Sequence, residues 1–263
     1  MYDFAFQKPS SLADAVRALG AEDAKALAGG MTLIPVLKQR LNKPSIVVDL
    51  TKLGLTGITV SSDTVTIGAM TTHAAVAAST DVKRAIPALA ALAGGIGDTQ
   101  VRHRGTIGGS LANNDPSACY PCAVLALGAT ITTNQRSISA DDYFQGMFTT
   151  ALHPNELITA VSFPVPGKAA YVKFKNPASR YAMVGVFVAK GPKGVRVAIT
   201  GAGQGGVFRH AAFEAALTKT WSADALNGIT TPTDGMNSDI HASAEYRAHL
   251  VGVIAKRAVT AAG

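Results

Sequence analysis

The segment Gly105-Thr106-Ile107-Gly108-Gly109-Ser110-Leu111-Ala112-Asn113-Asn114-Asp115-Pro116 is the most informative stretch of this chain. Glycines allow the backbone to approach a ligand closely, and the hydroxyls of Thr106 and Ser110 can bond phosphate oxygens. The polar run from Asn113 to Asp115 suits a ribose or the edge of a ring system. Without its surroundings, the same segment could be a glycine-rich turn with an Asx cap at Asp115.

A second glycine segment, Leu27-Ala28-Gly29-Gly30-Met31-Thr32-Leu33, lies much earlier in the chain. We expect it to connect a strand at 24–28 to a helix at 33–39, so that unpaired N–H groups near the helix start can bind an anion. Alone, a Gly-Gly pair in this context is a common tight turn. Two such segments far apart in sequence predict a cleft closed from two sides, which would suit the diphosphate of a dinucleotide.

Composition narrows the class of protein. The 263 residues contain no apolar run near the ~18–20 residues of a membrane span and no basic-then-apolar start typical of a secretion signal. Two cysteines only, Cys119 and Cys122, suit a reducing cytoplasm. The net charge is +7, but the basic residues are scattered. We therefore expect contact with acidic partner surfaces and no nucleic-acid function.

The order of elements predicts an α+β fold, with strands and helices grouped by subdomain. A boundary is expected near 164–167. The predicted strands are 46–50, 57–60, 65–70, 129–133, 171–174, 184–189 and 195–200, the last three forming an antiparallel sheet. The predicted helices are 12–19, 72–79, 82–92, 209–217 and 244–259.

Two further motifs have competing interpretations. Gly201-Ala202-Gly203-Gln204-Gly205-Gly206 matches the dinucleotide fingerprint by letter, so a self-contained NAD-dependent oxidoreductase is the alternative hypothesis. The expected antiparallel strands and the lack of a second β run ending in an acidic residue favour a flexible turn instead. Cys119 and Cys122 have redox spacing without a thioredoxin-like unit, which favours two buried structural cysteines.

Several motifs together resemble the FAD-binding middle subunits of molybdenum hydroxylases, the xanthine oxidase family. The resemblance covers essentially the full length and is nearest to the medium subunits of aerobic carbon monoxide dehydrogenases. The motifs that carry it are Ala28-Gly29-Gly30-Met31-Thr32, Ile67-Gly68-Ala69-Met70-Thr71, Ile96-Gly97-Asp98-Thr99-Gln100-Val101-Arg102, Thr106-Ile107-Gly108-Gly109, Ala178-Ser179-Arg180-Tyr181-Ala182-Met183 and residues 237–247.

The resemblance implies two FAD-binding subdomains of the vanillyl-alcohol oxidase (PCMH) type, residues 1–53 and 54–168. A C-terminal domain with a small antiparallel sheet, 169–263, would follow. Both glycine segments would wrap the FAD diphosphate, and Tyr181 would cover the flavin ring. The implied FAD contacts are Ala28, Gly29, Gly30, Met31, Thr32, Leu33, Thr106, Ile107, Gly108, Gly109, Ser110, Ala112, Asn113, Asp115 and Tyr181. No catalytic side chain and no metal ligand is implied in this chain.

The resemblance also implies partners. A large molybdopterin subunit would oxidise the substrate, and a small subunit with two [2Fe–2S] clusters would pass electrons to the FAD, in a cytoplasmic dimer of heterotrimers with an external electron acceptor. Carbon monoxide is the leading substrate, with aldehydes, purines and N-heterocycles as others. The family usually has His or Asn at Met31 and an acidic residue at Cys119, and its segment at 133–137 is longer.

Overall fold

The computed structural model describes all residues, 1–263, and confirms the predicted α+β class. Each of its β-sheets draws its strands from one stretch of the chain. No helix has the combination of length and hydropathy that crossing a bilayer requires.

The N-terminal stretch forms a parallel sheet in the order β1-β3-β2. Its strands are β1 (Ala5–Gln7), β2 (Lys25–Leu27) and β3 (Ile46–Asp49), and its helices are α1 (Leu12–Ala18) and α2 (Leu33–Lys38). Ser11 caps α1 by accepting from the N–H of Asp14. Because parallel strands need crossover connections, the first glycine segment runs from the end of β2 to the start of α2.

The middle stretch forms an antiparallel sheet in the order β4-β5-β10-β6-β7, with a two-stranded β8-β9 hairpin beside it. The strands are β4 (Ile58–Val60), β5 (Thr64–Gly68), β6 (Thr130–Thr133), β7 (Ser137–Ser139), β8 (Phe144–Gly146), β9 (Thr149–Thr150) and β10 (Ile158–Pro164). The helices are α3 (His73–Ala78), α4 (Thr80–Ala85), α5 (Pro87–Gly94), α6 (Thr99–Arg104), α7 (Ile107–Asn113), α8 (Tyr120–Leu127) and α9 (Ala140–Tyr143). The largest core cluster lies between this sheet and α5, α7 and α8.

The C-terminal stretch forms an antiparallel sheet in the order β11-β12-β13-β14. Its elements are β11 (Lys168–Lys175), β12 (Ala182–Gly191), β13 (Gly194–Thr200), β14 (Phe208–Arg209), α10 (Ala211–Lys219) and α11 (Ala244–Ala262). Alternate side chains of β12 enter two different cores, since Val186 packs with α10 and α11 while Phe187 joins the core of the middle stretch. The sheet is therefore buried on both faces and fixes this stretch to the middle one.

Several details differ from the sequence-based expectations. The helix predicted at 82–92 is broken into α4 and α5, because Pro87 forces an extended conformation on Ile86 (φ −138°, ψ 74°). Helix α6 and strand β10 were not predicted. The segment Gly201–Gly206 joins β13 to β14 of an antiparallel sheet, so the NAD-binding βαβ unit of the alternative hypothesis is absent.

Candidate functional site

A cavity of about 670 Å³ lies where the three stretches meet. Its size is within the roughly 300–1,000 Å³ of sites that hold drug-sized ligands and cofactors. One wall is the first glycine segment, a second is α7 with the residues after it, and a third is the turn before β12. Apolar side chains such as Val36, Met70 and Ile158 line the space between them.

Fourteen of the fifteen site residues expected from the sequence line this cavity. They are Ala28, Gly29, Gly30, Met31, Thr32, Leu33, Thr106, Gly108, Gly109, Ser110, Ala112, Asn113, Asp115 and Tyr181. Ile107 does not line the cavity, because its side chain is fully buried in the core of the middle stretch and its N–H donates to the carbonyl of Thr71 at 3.1 Å.

The first glycine segment leaves its backbone donors free. The N–H groups of residues 29–32 have no acceptor within the chain, and neither does the hydroxyl of Thr32. Gly30 has φ +79°, which glycine adopts without strain. A Cβ on Gly29 would overlap the carbonyl oxygen of Arg104 and lie 2.8 Å from the Cα of Gly105, so the two glycine segments touch here. The arrangement is an open cluster of donors that suits an anion.

Most of the second glycine segment forms the helix α7, not a glycine-rich turn. Thr106 caps α7 by accepting from the N–H of Gly109 at 3.1 Å. The N–H of Gly108 donates to the carbonyl of Ala69 at 2.8 Å. These N–H groups are used internally and are not available to a phosphate. What this wall offers to a ligand is the small surface of Gly109 and the unbonded hydroxyl of Ser110.

The residues after α7 both form a turn with an Asx motif and line the cavity. A carboxylate oxygen of Asp115 accepts from the N–H of Ser117 at 2.8 Å, which is the Asx motif, and Asp115 also lines the cavity. Asn114 ends the helix in the left-handed region (φ 43°). Its amide donates to the carbonyls of Gly146 and Thr149, which connects the β8-β9 hairpin to the cavity wall.

The third wall is a tight turn that presents Tyr181. The side-chain oxygen of Asn176 accepts from the N–H groups of Ala178 and Ser179, and the carbonyl of Asn176 accepts from the N–H of Arg180 at 2.9 Å. Tyr181 follows and is 53% exposed. Partial burial, and then the negative charge of Asp115, raise the pKa of Tyr181, so its phenol stays protonated at neutral pH and can donate a hydrogen bond.

Some cavity residues were missed by sequence reasoning, among them His73, Glu156 and Lys173. Burial, assisted by the positive charge of Arg102, lowers the pKa of His73 to about 4. Its backbone N–H donates to the carbonyl of Gly105, and its Nδ1 is buried without a partner. His73 lies two residues after the motif at 67–71, and that proximity was the only sequence signal for it.

Glu156 forms the most strongly held carboxylate of the cavity. Hydrogen bonds from Arg136, the N–H of His153 and the hydroxyl of Thr133 outweigh its burial and lower its pKa to about 2. This network joins the β6-β7 turn to the segment that precedes β10. It supports the cavity and is not directed at a ligand.

Both cysteines are free and buried, as the sequence favoured. Cys122 donates to the carbonyl of Ala198 at 3.0 Å, and burial raises the pKa of its thiol. Cys119 lines the cavity, so the departure from the family pattern lies in the wall itself. No group of histidine, cysteine and acidic residues could hold a metal ion.

The donors present fit FAD. Unpaired N–H groups at 29–32 supply what a diphosphate requires, while polar side chains on the second wall suit the hydroxyls of a ribityl chain. Where the two glycine segments touch, residue 29 cannot carry a side chain, because a Cβ there would overlap the carbonyl oxygen of Arg104.

Comparisons with known proteins agree with this geometry. Residues 2–166 match the family described as "FAD binding domain in molybdopterin dehydrogenase". The chain is 36% identical to the carbon monoxide dehydrogenase medium chain of Afipia carboxidovorans, over 97% of this chain and 95% of that one. It is 35% identical to the nicotine 6-hydroxylase medium subunit of Paenarthrobacter nicotinovorans, over 98% and 96%.

A solved structure, reconstituted CO dehydrogenase from Oligotropha carboxidovorans, superposes with a TM-score of 0.90 at 35% identity, covering 99% of this chain and 98% of that chain. The lining of the cavity, the family match and the full-length similarity all indicate an FAD-binding subunit. The chain belongs to the FAD-binding medium subunits of the molybdenum hydroxylases, and is an oxidoreductase subunit with FAD as its cofactor.

Proposed function

We propose that this chain carries FAD as the electron-transfer subunit of a three-subunit molybdenum hydroxylase. Electrons arrive singly from the [2Fe–2S] clusters of a small partner subunit and leave in pairs to an external acceptor. FAD supplies this conversion between one-electron and two-electron transfer. The observation that carries the proposal is the convergence of unpaired donors, a polar wall and Tyr181 on one cavity in a member of this family.

The side chains of this subunit bind and orient the cofactor. The N–H groups of 29–32 and the hydroxyls of Thr32 and Ser110 hold the diphosphate. Asn113 and Asp115 bond the ribityl hydroxyls, and Tyr181 covers the ring with a protonated phenol. The apolar residues between the walls exclude water. None of these roles requires this chain to supply an acid, a base or a nucleophile.

In the proposed assembly, the large molybdopterin subunit binds the substrate. We propose carbon monoxide as the substrate, on the likeness to the medium chain of Afipia carboxidovorans. A nicotine 6-hydroxylase subunit is similar to nearly the same degree, so N-heterocycles are the comparison substrates. The assembly we propose is a dimer of heterotrimers in the cytoplasm.

The first test is to purify the tagged chain from its host, release the flavin by denaturation and quantify co-purifying molybdenum and iron. FAD together with both metals supports the assembly. Absence of flavin contradicts the proposal. A second test mixes the FAD-loaded chain with the reduced iron–sulfur subunit, and failure to reduce the flavin contradicts the electron path. Turnover of the complete complex with carbon monoxide and N-heterocycles then decides the substrate.

A further inference from the structure

Lys173 brings three parts of the cavity wall together. It lies on β11 and its ammonium donates to the carbonyl of Gly95 at 2.8 Å and to that of Arg180 at 2.9 Å. The same Nζ lies 3.5 Å from the Sγ of Cys119. Since an ammonium has three donor hydrogens, these contacts use all of them. The side chain is half-buried and lines the cavity.

The contacts of Lys173 connect the C-terminal stretch to the middle one. Gly95 follows α5, and Cys119 precedes α8, so both belong to the middle stretch. Arg180 belongs to the turn that leads into β12. One ammonium thus bridges the two stretches at the edge of the cavity.

The turn that Lys173 holds is strained. Arg180 has φ +63°, in the left-handed region that is unfavourable for a residue with a side chain. Such a conformation persists only where neighbouring contacts fix it. The bond from Lys173 to the carbonyl of Arg180 is one of those contacts, and it acts on the peptide that leads directly to Tyr181.

The charge of Lys173 has no carboxylate partner. None of the ion pairs of the chain includes it. The three carboxylates of the cavity wall are bonded elsewhere: Asp98 to the N–H of Val101, Asp115 to that of Ser117, and Glu156 to Arg136. A half-buried cation of this kind acts over a longer range than one that is neutralised by contact.

We propose that Lys173 is a positioning residue of the FAD site, which holds the strained turn that presents Tyr181 and places on the cavity wall a positive charge that no carboxylate contacts. The inference rests on the proposed function. Because reduction adds negative charge to the cofactor, a nearby cation favours the reduced form and raises the reduction potential. The Lys173 side chain therefore has two effects that variants can separate: the hydrogen bond that holds the turn, called the clamp below, and the positive charge on the wall.

The test uses the full chain, reconstituted with FAD, in the variants Lys173→Met and Lys173→Arg, with Lys175→Met as the matched control on the exposed end of the same strand. Two quantities are measured: the dissociation constant of oxidised FAD and the midpoint potential at saturating FAD. We expect Lys173→Met to weaken binding by about tenfold and to lower the potential. Lys173→Arg keeps charge and donors and stays near the wild-type potential, as does Lys175→Met.

A second pair of variants separates the clamp from the charge. Arg180→Gly removes the strain, since glycine adopts a positive φ freely. In the Arg180→Gly background, Lys173→Met should no longer weaken binding but should still lower the potential. This background also gives a measurable potential if Lys173→Met alone folds poorly. An unchanged potential on removal of Lys173 overturns the inference. Wild-type protein that holds no FAD would instead contradict the proposed function.

Discussion

The two glycine segments have similar composition but use their backbones in opposite ways. In the first, the N–H groups of residues 29–32 have no partner within the chain, and these residues line the cavity. In the second, the N–H groups of Ile107, Gly108 and Gly109 are bonded to Thr71, Ala69 and Thr106. The first glycines keep donors open for a ligand, whereas the second glycines allow a helix to pack against β5.

The difference comes from the surroundings of each segment. The first runs along the rim of the cavity, where Met31 and Thr32 are exposed. The second is covered by the residues that follow β5, and a Cβ on Gly108 would lie 2.7 Å from both the oxygen and the Cβ of Ala69. Glycine in a sequence therefore indicates a close approach, but the partner in that approach is ligand in one case and protein in the other.

The largest effect on stability should come from disrupting the second glycine segment, which packs against protein and is called the packed segment below. Gly108→Ala places a methyl group against backbone that cannot move aside, so we expect the free energy of unfolding of the FAD-free chain to fall by about 3 kcal/mol. Chemical denaturation followed by circular dichroism measures it. As the matched control, Gly252→Ala in α11 meets nothing within 4 Å and should stabilise the chain by about 0.5–1 kcal/mol. Equal behaviour of the two variants would refute the packing role.

The packed segment should also be sensitive to acid through His73, which supports Gly105. Its pKa is 6.5 when unfolded and about 4 when folded. Above pH 6.5 both states are neutral and the histidine contributes no pH dependence. As the pH falls from 6.5 to 4, only the unfolded state takes up the proton, so stability is lost, by about 3 kcal/mol in total.

The measurement is the unfolding free energy of the FAD-free chain at several pH values between 7 and 4. His73→Leu should remove its share of about 3 kcal/mol from the loss in this window, to which the lowered pKa of His210 also contributes, whereas His241→Leu, at an exposed position, should retain the full loss. A wild-type curve parallel to that of His73→Leu would show that His73 does not titrate as the structure requires.

The sequence predicted the elements whose signals are local. Ser11 before an apolar helical face and the turn at 191–194 between two β runs need no tertiary information. Helix α7 was missed because two adjacent glycines have poor helix propensity, and only packing against Ala69 makes them suitable there. Lys173 was missed for a different reason: a lysine in an edge strand reads as a solvent-facing residue, and its partners come from distant segments.

Substitutions in the first glycine segment, the open segment whose N–H groups have no partner within the chain, should change the affinity for FAD and not the free energy of unfolding. Thr32→Val removes a hydroxyl that bonds nothing within the chain. A hydrogen bond to a charged group is worth about 1.5–3 kcal/mol, so we expect at least about a tenfold rise in the dissociation constant of FAD. Quenching of flavin fluorescence measures it. The unfolding free energy of the FAD-free protein should stay unchanged, and a parallel loss of stability would place Thr32 with the packed segment instead.

The smallest effect should come from adding a donor to the open segment. Met31 is 39% exposed at the cavity rim, in a position where the family usually has His or Asn. Met31→Asn adds an amide donor beside the free N–H groups, and a partly exposed hydrogen bond gives about 0.5–1 kcal/mol, or roughly a threefold lower dissociation constant for FAD. Met31→Leu is the control without a donor and should leave affinity unchanged. If both variants bind FAD equally, the rim does not contact the diphosphate, and the donors of residues 29–32 must act without help from the side chain at position 31.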